Sequence, residues 1–448
     1  MPSDDFSQQM DDQTPMQAPP PEASEAPEAS DGWRAAWTPP TLPDDVGSAD
    51  DGAAGEDEED EATRLRERMV ARLTASGALR DEAVERAMLR VPRHHFLPGH
   101  ALAEAYDNVA ITTTWERGAP VSSVSQPEII AVMLQQLRVQ PGMRALEVGA
   151  GSGYNAALLA ELTGPTGSVV SLEIDAALAA AASERLRAAG YPLERARVIA
   201  GDGWRGWPSG APFERIELTV GAMDLSPAWF AQLAEDGLLV APLWLGATDV
   251  SVGLRKRAGA LVSESWTLCG FVRLRGEGAG EAGVARLSDR LTLTGPNAQA
   301  LAEPINALLA TRARRIWWGQ HNASFVQYLA LASGRVLSLW QGNGHHRRRL
   351  RGRFLLYLDD ADGPSMVIFP HRAPALLAFG GVAAERFVRE QAETYRQRGA
   401  PPIEHWRMVA RPLPAEQAEP PATAAPGVAR LTTTHWVYEI SAGDALTP

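Results

Sequence analysis

The stretch Arg144-Ala-Leu-Glu-Val-Gly-Ala-Gly-Ser-Gly-Tyr154 decides the fold. Ala145 to Val148 is apolar except for Glu147, as is typical of a short buried strand. The three glycines that follow at alternate positions predict a turn in which no Cβ blocks a ligand. The apolar run from Asn155 to Leu162 predicts a helix whose first N–H groups face that ligand. The sequence therefore predicts a strand, a glycine turn and a helix around a nucleotide-type site.

The glycine spacing narrows the choice of ligand. A dinucleotide fingerprint, G-x-G-x-x-G, needs a third glycine where this chain has Tyr154. The pattern present, E-x-G-x-G-x-G, resembles motif I of the class I S-adenosylmethionine (AdoMet) methyltransferases. AdoMet has no phosphate, so the turn would hold an amino-acid tail and a ribose. Taken alone, the turn is also consistent with a tight bend that binds nothing.

Two acidic strand ends downstream support a cofactor. Ser168 to Ile174 predicts a second strand that carries Glu173, 22 residues after Gly151, and an acidic side chain about 20 residues on grips a ribose diol in such sheets. Arg197 to Gly203 predicts a third strand ending in Asp202, an acceptor for an adenine amino group. Either residue alone fits a solvated strand end, but both together at βαβ spacing favour AdoMet binding.

The remaining pattern predicts an α/β fold with a doubly wound, Rossmann-like sheet of the class I methyltransferase type. Phe213 to Val220 and Gly237 to Leu243 supply the fourth and fifth strands. Asp249 to Arg255 and Leu261 to Leu274 predict an antiparallel hairpin that closes the sheet edge. We predict a methyltransferase domain over 63–275, a linker over 276–285, and a C-terminal α+β domain over 286–448 that recognises the substrate.

Charge is uneven along the 448 residues. Residues 1–62 hold 18 Asp and Glu against one Arg, a net of −17, so the remainder carries +4 of the total −13. This acidic tail, rich in Pro, Ala and Ser, cannot bury enough apolar surface to offset chain entropy, and it is predicted to be disordered.

The single cysteine, Cys269, allows no intramolecular disulfide and no cysteine-rich metal site. The chain shows neither a signal-like N-terminus nor a long apolar run, so we predict a cytoplasmic protein with no membrane partner. The basic runs Arg312 to Trp318 and His345 to Arg353 fit nucleic-acid contact, a solvated loop or a groove for an acidic peptide. We favour the last two, and no metal is predicted, because His345-His346 lacks further ligands at metal spacing.

Several stretches resemble the protein-L-isoaspartate O-methyltransferase family. They occur in the family's order within residues 64–275: Val91-Pro-Arg-His-His-Phe-Leu-Pro98, Ala105-Tyr-Asp107, Val124-Ser-Gln-Pro127, Leu146 to Tyr154 and Gly201-Asp-Gly-Trp-Arg-Gly-Trp-Pro208. The resemblance implies AdoMet-dependent esterification of a carboxylate at an aspartyl-derived residue in a peptide or protein. It places Ser125 against the substrate carboxyl, as the catalytic residue. Since a carboxylate is already a nucleophile at pH 7, no general base is required.

Site residues follow from the pattern and the resemblance together. The predicted substrate-binding residues are Ser123, Gln126 and Asp107. The predicted cofactor-binding residues are Glu147, Gly149, Gly151, Gly153, Tyr154, Glu173, Asp202 and Gly203.

The chain departs from the family around Thr112 to Ser123, where the link before Ser-Gln-Pro is longer, and in the extra residues 276–448. These departures resemble the long branch associated with lanthipeptides and graspetides. That branch methylates an aspartate of a modified ribosomal peptide, giving aspartimide and then isoaspartate, and this is the function we predict. A general isoaspartyl repair enzyme is the alternative, and a non-catalytic AdoMet-fold scaffold is the alternative of another class. The oligomeric state stays open.

Overall fold

The computed structural model describes residues 53–116, 119–280, 283–288, 291–295, 297–318, 323–343, 346–360, 362–370, 375–413 and 428–442. Most of the predicted acidic tail, residues 1–52, lies outside them. The rest of that prediction needs correction, because helix α1 runs from Ala53 to Ala75. Ala62, Met69 and Leu73 bury one side of this helix. The apolar face anchors the later turns, and the acidic block occupies the helix start, where the dipole favours negative charge.

Short helices and one pair of strands precede the main sheet along the chain. These elements are α2 (Glu82–Arg90), a 3-10 turn (Arg93–Phe96), α3 (Leu102–Ala105), strands β1 (Ile111–Glu116) and β2 (Ala119–Val124), and α4 (Pro127–Leu137). Asp81 caps α2 by accepting the N–H groups of Ala83 and Val84. The longer link noted in the sequence around Thr112 to Ser123 forms the antiparallel hairpin β1–β2. Helix α4 begins at Pro127, as predicted from the proline at its first turn.

The parallel half of the main sheet follows the prediction. Its elements are β3 (Arg144–Val148), α5 (Tyr154–Thr163), β4 (Ser168–Glu173), α6 (Ala176–Ala188), β5 (Ala196–Ala200), β6 (Phe213–Leu218), α7 (Pro227–Gln232) and β7 (Leu233–Trp244). The strands lie in the order β5-β4-β3-β6-β7, and all of these neighbours are parallel. The order reverses beside β3, which is where open α/β sheets bind their ligands.

The antiparallel half of the sheet is larger than predicted. β8 (Asp249–Arg257) and β9 (Ala260–Cys269) form the expected hairpin. The hairpin does not close the edge, however, because β17 (Trp406–Pro412) pairs with β9 through Val409 and Ala410. β19 (Trp436–Ala442) and β18 (Val428–Thr432) then extend the sheet. Within the described residues the main sheet therefore has ten strands, and the C-terminal strands belong to it rather than to a separate domain over 286–448.

Between those two parts the chain builds a second sheet. Its elements are β10 (Val284–Arg286), β11 (Leu291–Thr294), α8 (Ala298–Leu309), β12 (Arg314–Trp317), α9 (Ala323–Ser333), β13 (Val336–Asn343), β14 (His346–Asp360), β15 (Gly363–Phe369), β16 (Ala375–Gly380) and α10 (Ala383–Gln397). All of its strand pairs are antiparallel, in the order β10-β11-β13-β14-β15-β16-β12. This region is α+β, and the predicted linker ends in its first strand.

Two apolar clusters cover opposite faces of the main sheet. Ala145 of β3 packs with the short helices that precede the sheet, whereas its neighbour Leu146 packs with the C-terminal elements, since successive strand side chains alternate between faces. Ser338 of the second sheet donates to the Ala247 carbonyl at 3.0 Å, which ties the second sheet to the β7–β8 turn. No helix in the described part of the chain combines the length and the apolar character that crossing a membrane requires.

Candidate active site

The glycine turn between β3 and α5 forms the floor of a pocket at the carboxyl ends of the parallel strands. Gly149 and Gly151 line this pocket, with φ values of 104° and 53°. A Cβ on Gly149 would come within 2.7 Å of the Thr219 hydroxyl, so a larger residue there would disturb the turn. Gly153, also at positive φ, precedes α5 and packs on α6 instead of facing the pocket. Tyr154 completes the floor and is almost fully buried.

Glu147 lies beneath the turn and not in the pocket wall. Its side chain is fully buried, and its carboxylate accepts the Ser171 hydroxyl and, at 2.8 Å, the Asn155 amide. Asn155 also donates to Glu217 at 2.8 Å, so one amide bridges two buried carboxyl groups. Burial raises the pKa of Glu147 to about 8 and that of Glu217 to about 7. The predicted contact of Glu147 with the cofactor is therefore corrected: Glu147 supports the first turn of α5 from below.

Glu173 reaches the pocket from the end of β4, as the 22-residue spacing predicted. Its carboxylate accepts the Gly151 N–H at 2.9 Å and the Asp175 N–H at 3.1 Å. An ionised carboxylate has about four lone-pair sites, so acceptor capacity remains for a ribose diol. The glycines of the turn, which have no Cβ atom, and this acidic strand end fit the ribose and amino-acid portions of AdoMet.

Residues 122–125, which are the end of β2 and the residue after it, form a second wall of the pocket and are called the serine loop. Ser122, Ser123 and Ser125 all line the pocket. The fully buried Arg93 fixes the loop from behind, since its guanidinium donates to the Ser125 carbonyl at 3.0 Å and to the Ala105 carbonyl at 2.8 Å. The same guanidinium lies 5.0 Å from the Tyr154 ring centre. One buried cation therefore joins the serine loop to the glycine turn.

Gln126 and Asp107, two predicted substrate ligands, do not line this pocket. Gln126 precedes α4, and its amide lies 3.5 Å from the Glu128 carboxylate. Asp107 is largely exposed and forms a 3.9 Å ion pair with Arg72. The neighbouring Asn108 donates to the Glu128 side chain at 2.7 Å and accepts the Glu128 N–H at 3.1 Å. The structure thus uses this part of the chain to hold the start of α4.

On the side where the sequence predicts the adenine, Gly203 lines the pocket while Asp202 lies just outside its wall. The Asp202 carboxylate accepts the Trp204 N–H at 2.9 Å and, from the predicted linker, the Glu277 N–H at 2.7 Å. Gly276 has a φ of 85°, and a Cβ there would overlap the Asp202 carboxylate. The linker is therefore packed against the cofactor side of the sheet.

Two arginines that the sequence interpretation did not single out complete the pocket. Arg273 and Arg275 lie on the segment that leads from β9 into the linker. Arg273 forms a 2.6 Å ion pair with the buried Asp249. Arg275 lies 3.7 Å from Glu173 and 3.6 Å from Glu116 at the end of β1. Their alternation in Phe-Val-Arg-Leu-Arg is the sequence signal that would have marked this wall. Arg93 likewise lay in a quoted motif without receiving a role.

A parallel sheet whose order reverses at a glycine turn, with an acidic residue at the next strand end, forms a nucleotide-type site and fits the class I AdoMet-dependent methyltransferases. Residues 64–279 match the model of the family described as protein-L-isoaspartate(D-aspartate) O-methyltransferase (PCMT). A protein-L-isoaspartate O-methyltransferase of Methanopyrus kandleri is 38% identical over 224 residues, which are 48% of this chain and 92% of the relative. One of Hyperthermus butylicus is 38% identical over 220 residues, 47% of this chain and 89% of the relative.

Among solved structures, a protein-L-isoaspartate O-methyltransferase aligns with a TM-score of 0.46 and 22% identity over 77% of this chain and 96% of its own. The chain belongs to the PCMT family, because at 38% identity it covers 92% of the Methanopyrus relative's length. It is an AdoMet-dependent carboxyl methyltransferase of the protein-L-isoaspartate O-methyltransferase type. The expected fold family, enzyme class and cofactor are thereby confirmed. The long natural-product branch is not confirmed.

Proposed function

We propose that this enzyme methylates the carboxylate of isoaspartyl residues in proteins and peptides, which is the repair-type activity. The comparisons favour this alternative over the modified ribosomal peptide that the sequence interpretation put first. The observation that carries the proposal is the single pocket in which the glycine turn and Glu173 meet the serine loop and two arginines. AdoMet, when bound, supplies an electrophilic methyl group.

The residues of the pocket divide the work. Glu173 and the glycine turn hold the donor. Ser125 donates a hydrogen bond to the substrate carboxylate without protonating it, and Arg275 attracts that carboxylate by its charge. The chain needs no base, because a carboxylate is ionised at pH 7. Alignment of the acceptor with the methyl group, and exclusion of water, supply the rate; orientation is worth up to ~7–11 kcal/mol in favourable cases.

Methyl transfer to a matched pair of peptides tests the proposal. One hexapeptide contains isoaspartate and the other aspartate at the same position, and labelled methyl is counted as methanol released at alkaline pH. We expect label on the isoaspartyl peptide only. Glu173→Gln should weaken AdoMet binding, whereas Glu184→Gln, on the exposed face of α6, should not. Absence of base-labile label on every isoaspartyl peptide offered would refute the proposal.

The second candidate is methylation of an aspartate in a constrained ribosomal peptide. Two observations favour it. Almost the whole Methanopyrus relative aligns within less than half of this chain, so the C-terminal elements are additional. The β1–β2 hairpin also carries Trp115, which is 53% exposed and lies next to Glu116, the partner of Arg275. Both features suit a larger and more shaped substrate, and we propose that residues 286–442 contribute to its recognition.

A competition assay separates the two candidates. A cyclised, Asp-containing peptide is offered together with the linear isoaspartyl hexapeptide at equal concentration. Preferential labelling of the cyclised aspartate would favour the second candidate. Label on the isoaspartyl peptide alone would leave the repair-type activity as the function.

A further inference from the structure

A cluster of ligand-type side chains lies outside the pocket, where α1 meets the 3-10 turn. Glu59 of α1 and His94 and His95 of the turn place one carboxylate oxygen and two ring nitrogens within 4.8 Å of one another. His94 and His95 lie in the Val91 to Pro98 stretch that carries the family resemblance, but the proposed methyl transfer gives them no role. Two imidazoles and a carboxylate are a ligand set that zinc adopts with a fourth, open position.

The distances within the cluster do not suit direct hydrogen bonds. Glu59 Oε2 lies 3.5 Å from His94 Nε2 and 3.9 Å from His95 Nε2. N–H···O bonds in proteins span about 2.7–3.2 Å. Ligand atoms about 2.0–2.1 Å from a tetrahedral zinc are themselves about 3.3–3.4 Å apart. The distance between Glu59 and His94 is close to this value, and the half-exposed Glu59 and His95 side chains have room to move toward one shared ion.

His94 is already oriented for this role. Its Nδ1 lies 2.7 Å from the hydroxyl of the buried Tyr106. Metal-ligating histidines generally have their second ring nitrogen held by such a partner, which fixes the ring and leaves the other nitrogen for the ion. With the proton on Nδ1, the lone pair of His94 Nε2 faces Glu59. Arg66 and Glu58, which carry opposite charges, also lie within electrostatic reach of His94.

We propose that Glu59, His94 and His95 form a site for one divalent transition-metal ion, with zinc as the reference ion. The ion would tie α1 to the turn whose Arg93 holds the Ser125 carbonyl. Its role is to fasten the N-terminal helix onto the element behind the serine loop. It takes no part in the transfer, so the proposal stands independently of the substrate.

Calorimetric titration of the metal-free, untagged full-length protein with zinc chloride tests the site. We expect one ion per chain with micromolar or tighter affinity. Thermal unfolding should shift upward as the zinc concentration rises, since the ion binds the folded state. Cobalt(II) in place of zinc should give the visible absorption of a four-coordinate site. These readouts do not depend on enzyme activity.

Variants distinguish this site from other histidines. Glu59→Gln and His95→Asn should each weaken zinc binding at least about tenfold. Glu67→Gln, exposed on the same helix, and His100→Asn, beside Glu104, should bind as the wild type does. Metal-free unfolding curves check that each variant folds, and His95→Gln replaces any that does not. Absence of binding, or binding equal in wild type, Glu59→Gln and His95→Asn, would overturn the proposal.

Discussion

The position of Ser125 is fixed through its backbone carbonyl and does not depend on its side-chain hydroxyl. Arg93 donates to the Ser125 carbonyl, so the loop keeps its place when the hydroxyl is removed. We therefore expect Ser125→Ala to lower kcat about 10- to 100-fold, the equivalent of one hydrogen bond to a charged group. AdoMet affinity should change less than about twofold.

Initial rates on an isoaspartyl peptide and calorimetric titration with AdoMet measure the two effects of the Ser125 change. Ser183→Ala, on α6 outside the pocket, is the control and should alter neither value. Equal losses of turnover and of AdoMet affinity would assign Ser125 to cofactor binding instead.

The buried pair of Glu147 and Glu217 makes stability depend on pH. Burial holds both pKa values above the ordinary 4.5, at about 8 and about 7. Between pH 4.5 and 8 the folded state therefore binds more protons than the unfolded state. Its stability is highest at the acidic end of this window and falls as pH rises through the two pKa values.

We expect the contribution of this pair to lower the melting temperature between pH 5.5 and pH 8.5. Glu217→Gln, which keeps an acceptor for Asn155, should reduce that fall by on the order of 1–3 kcal/mol of unfolding free energy. Calorimetric scans across this range measure it, with Glu184→Gln, at an exposed position on α6, as the control. Parallel pH curves for wild type and Glu217→Gln would contradict the assignment.

At the scale of elements, the accurate predictions came from patterns among residues that are close together along the chain. The β3 strand, its glycine turn and the acidic end of β4 lie close together along the chain, so their spacing alone fixes how they meet. The pairing of β17 with β9 joins residues about 150 positions apart, and no period or turn signal encodes such a partner. Glu147 misled for another reason: its position in the motif does not tell which face of the strand it occupies.

The predicted linker shows how composition conceals a packed element. The Gly/Glu/Ala pattern of 276–283 is typical of a flexible connection, yet the Glu277 N–H reaches Asp202 and its side chain pairs with Arg205. Glycines occur in this segment because the neighbouring strand ends leave no room for a Cβ atom. The proposed site at Glu59, His94 and His95 likewise has no signal in the sequence, since Glu59 and His94 approach each other only through the docking of α1.

Gly276→Ala tests the packed linker. The new Cβ would overlap the Asp202 carboxylate at a φ of 85°, a region that costs an alanine about 1–2 kcal/mol. We expect AdoMet affinity to fall several-fold as Asp202 is displaced. Gly270→Ala is the matched control, because a Cβ there meets no heavy atom within 4 Å. Equal affinities for the two variants, measured by calorimetry, would contradict the role of the linker.

At the scale of the whole molecule, one carboxylate connects the parallel half of the main sheet to the C-terminal strands β18 and β19. Asp224, in the loop after β6, accepts the Thr433 hydroxyl at 2.6 Å and the Tyr438 hydroxyl at 2.8 Å. It also accepts the backbone N–H of His435 at 3.1 Å, and the His435 ring lies against Trp204 of the adenine side. The C-terminal strands are thereby attached beside the cofactor region.

Asp224→Ala removes this shared acceptor. The hydroxyl of the almost fully buried Tyr438 would lose it, and an unsatisfied buried group costs about 1–3 kcal/mol. We expect the unfolding free energy to fall by about 2–4 kcal/mol, because several donors lose one partner together. Weaker AdoMet binding should accompany the loss as Trp204 is released.

Asp359→Ala is the control for Asp224→Ala, since Asp359 is exposed on β14 and a substitution at such a surface position usually changes stability by no more than about 0.5 kcal/mol. Denaturant unfolding with AdoMet titration measures both variants. If the C-terminal strands formed an independent domain, Asp224→Ala would leave cofactor affinity unchanged and produce two separate unfolding transitions. A single, less stable transition with weakened AdoMet binding is expected, because β9 and β17 share one sheet and one core.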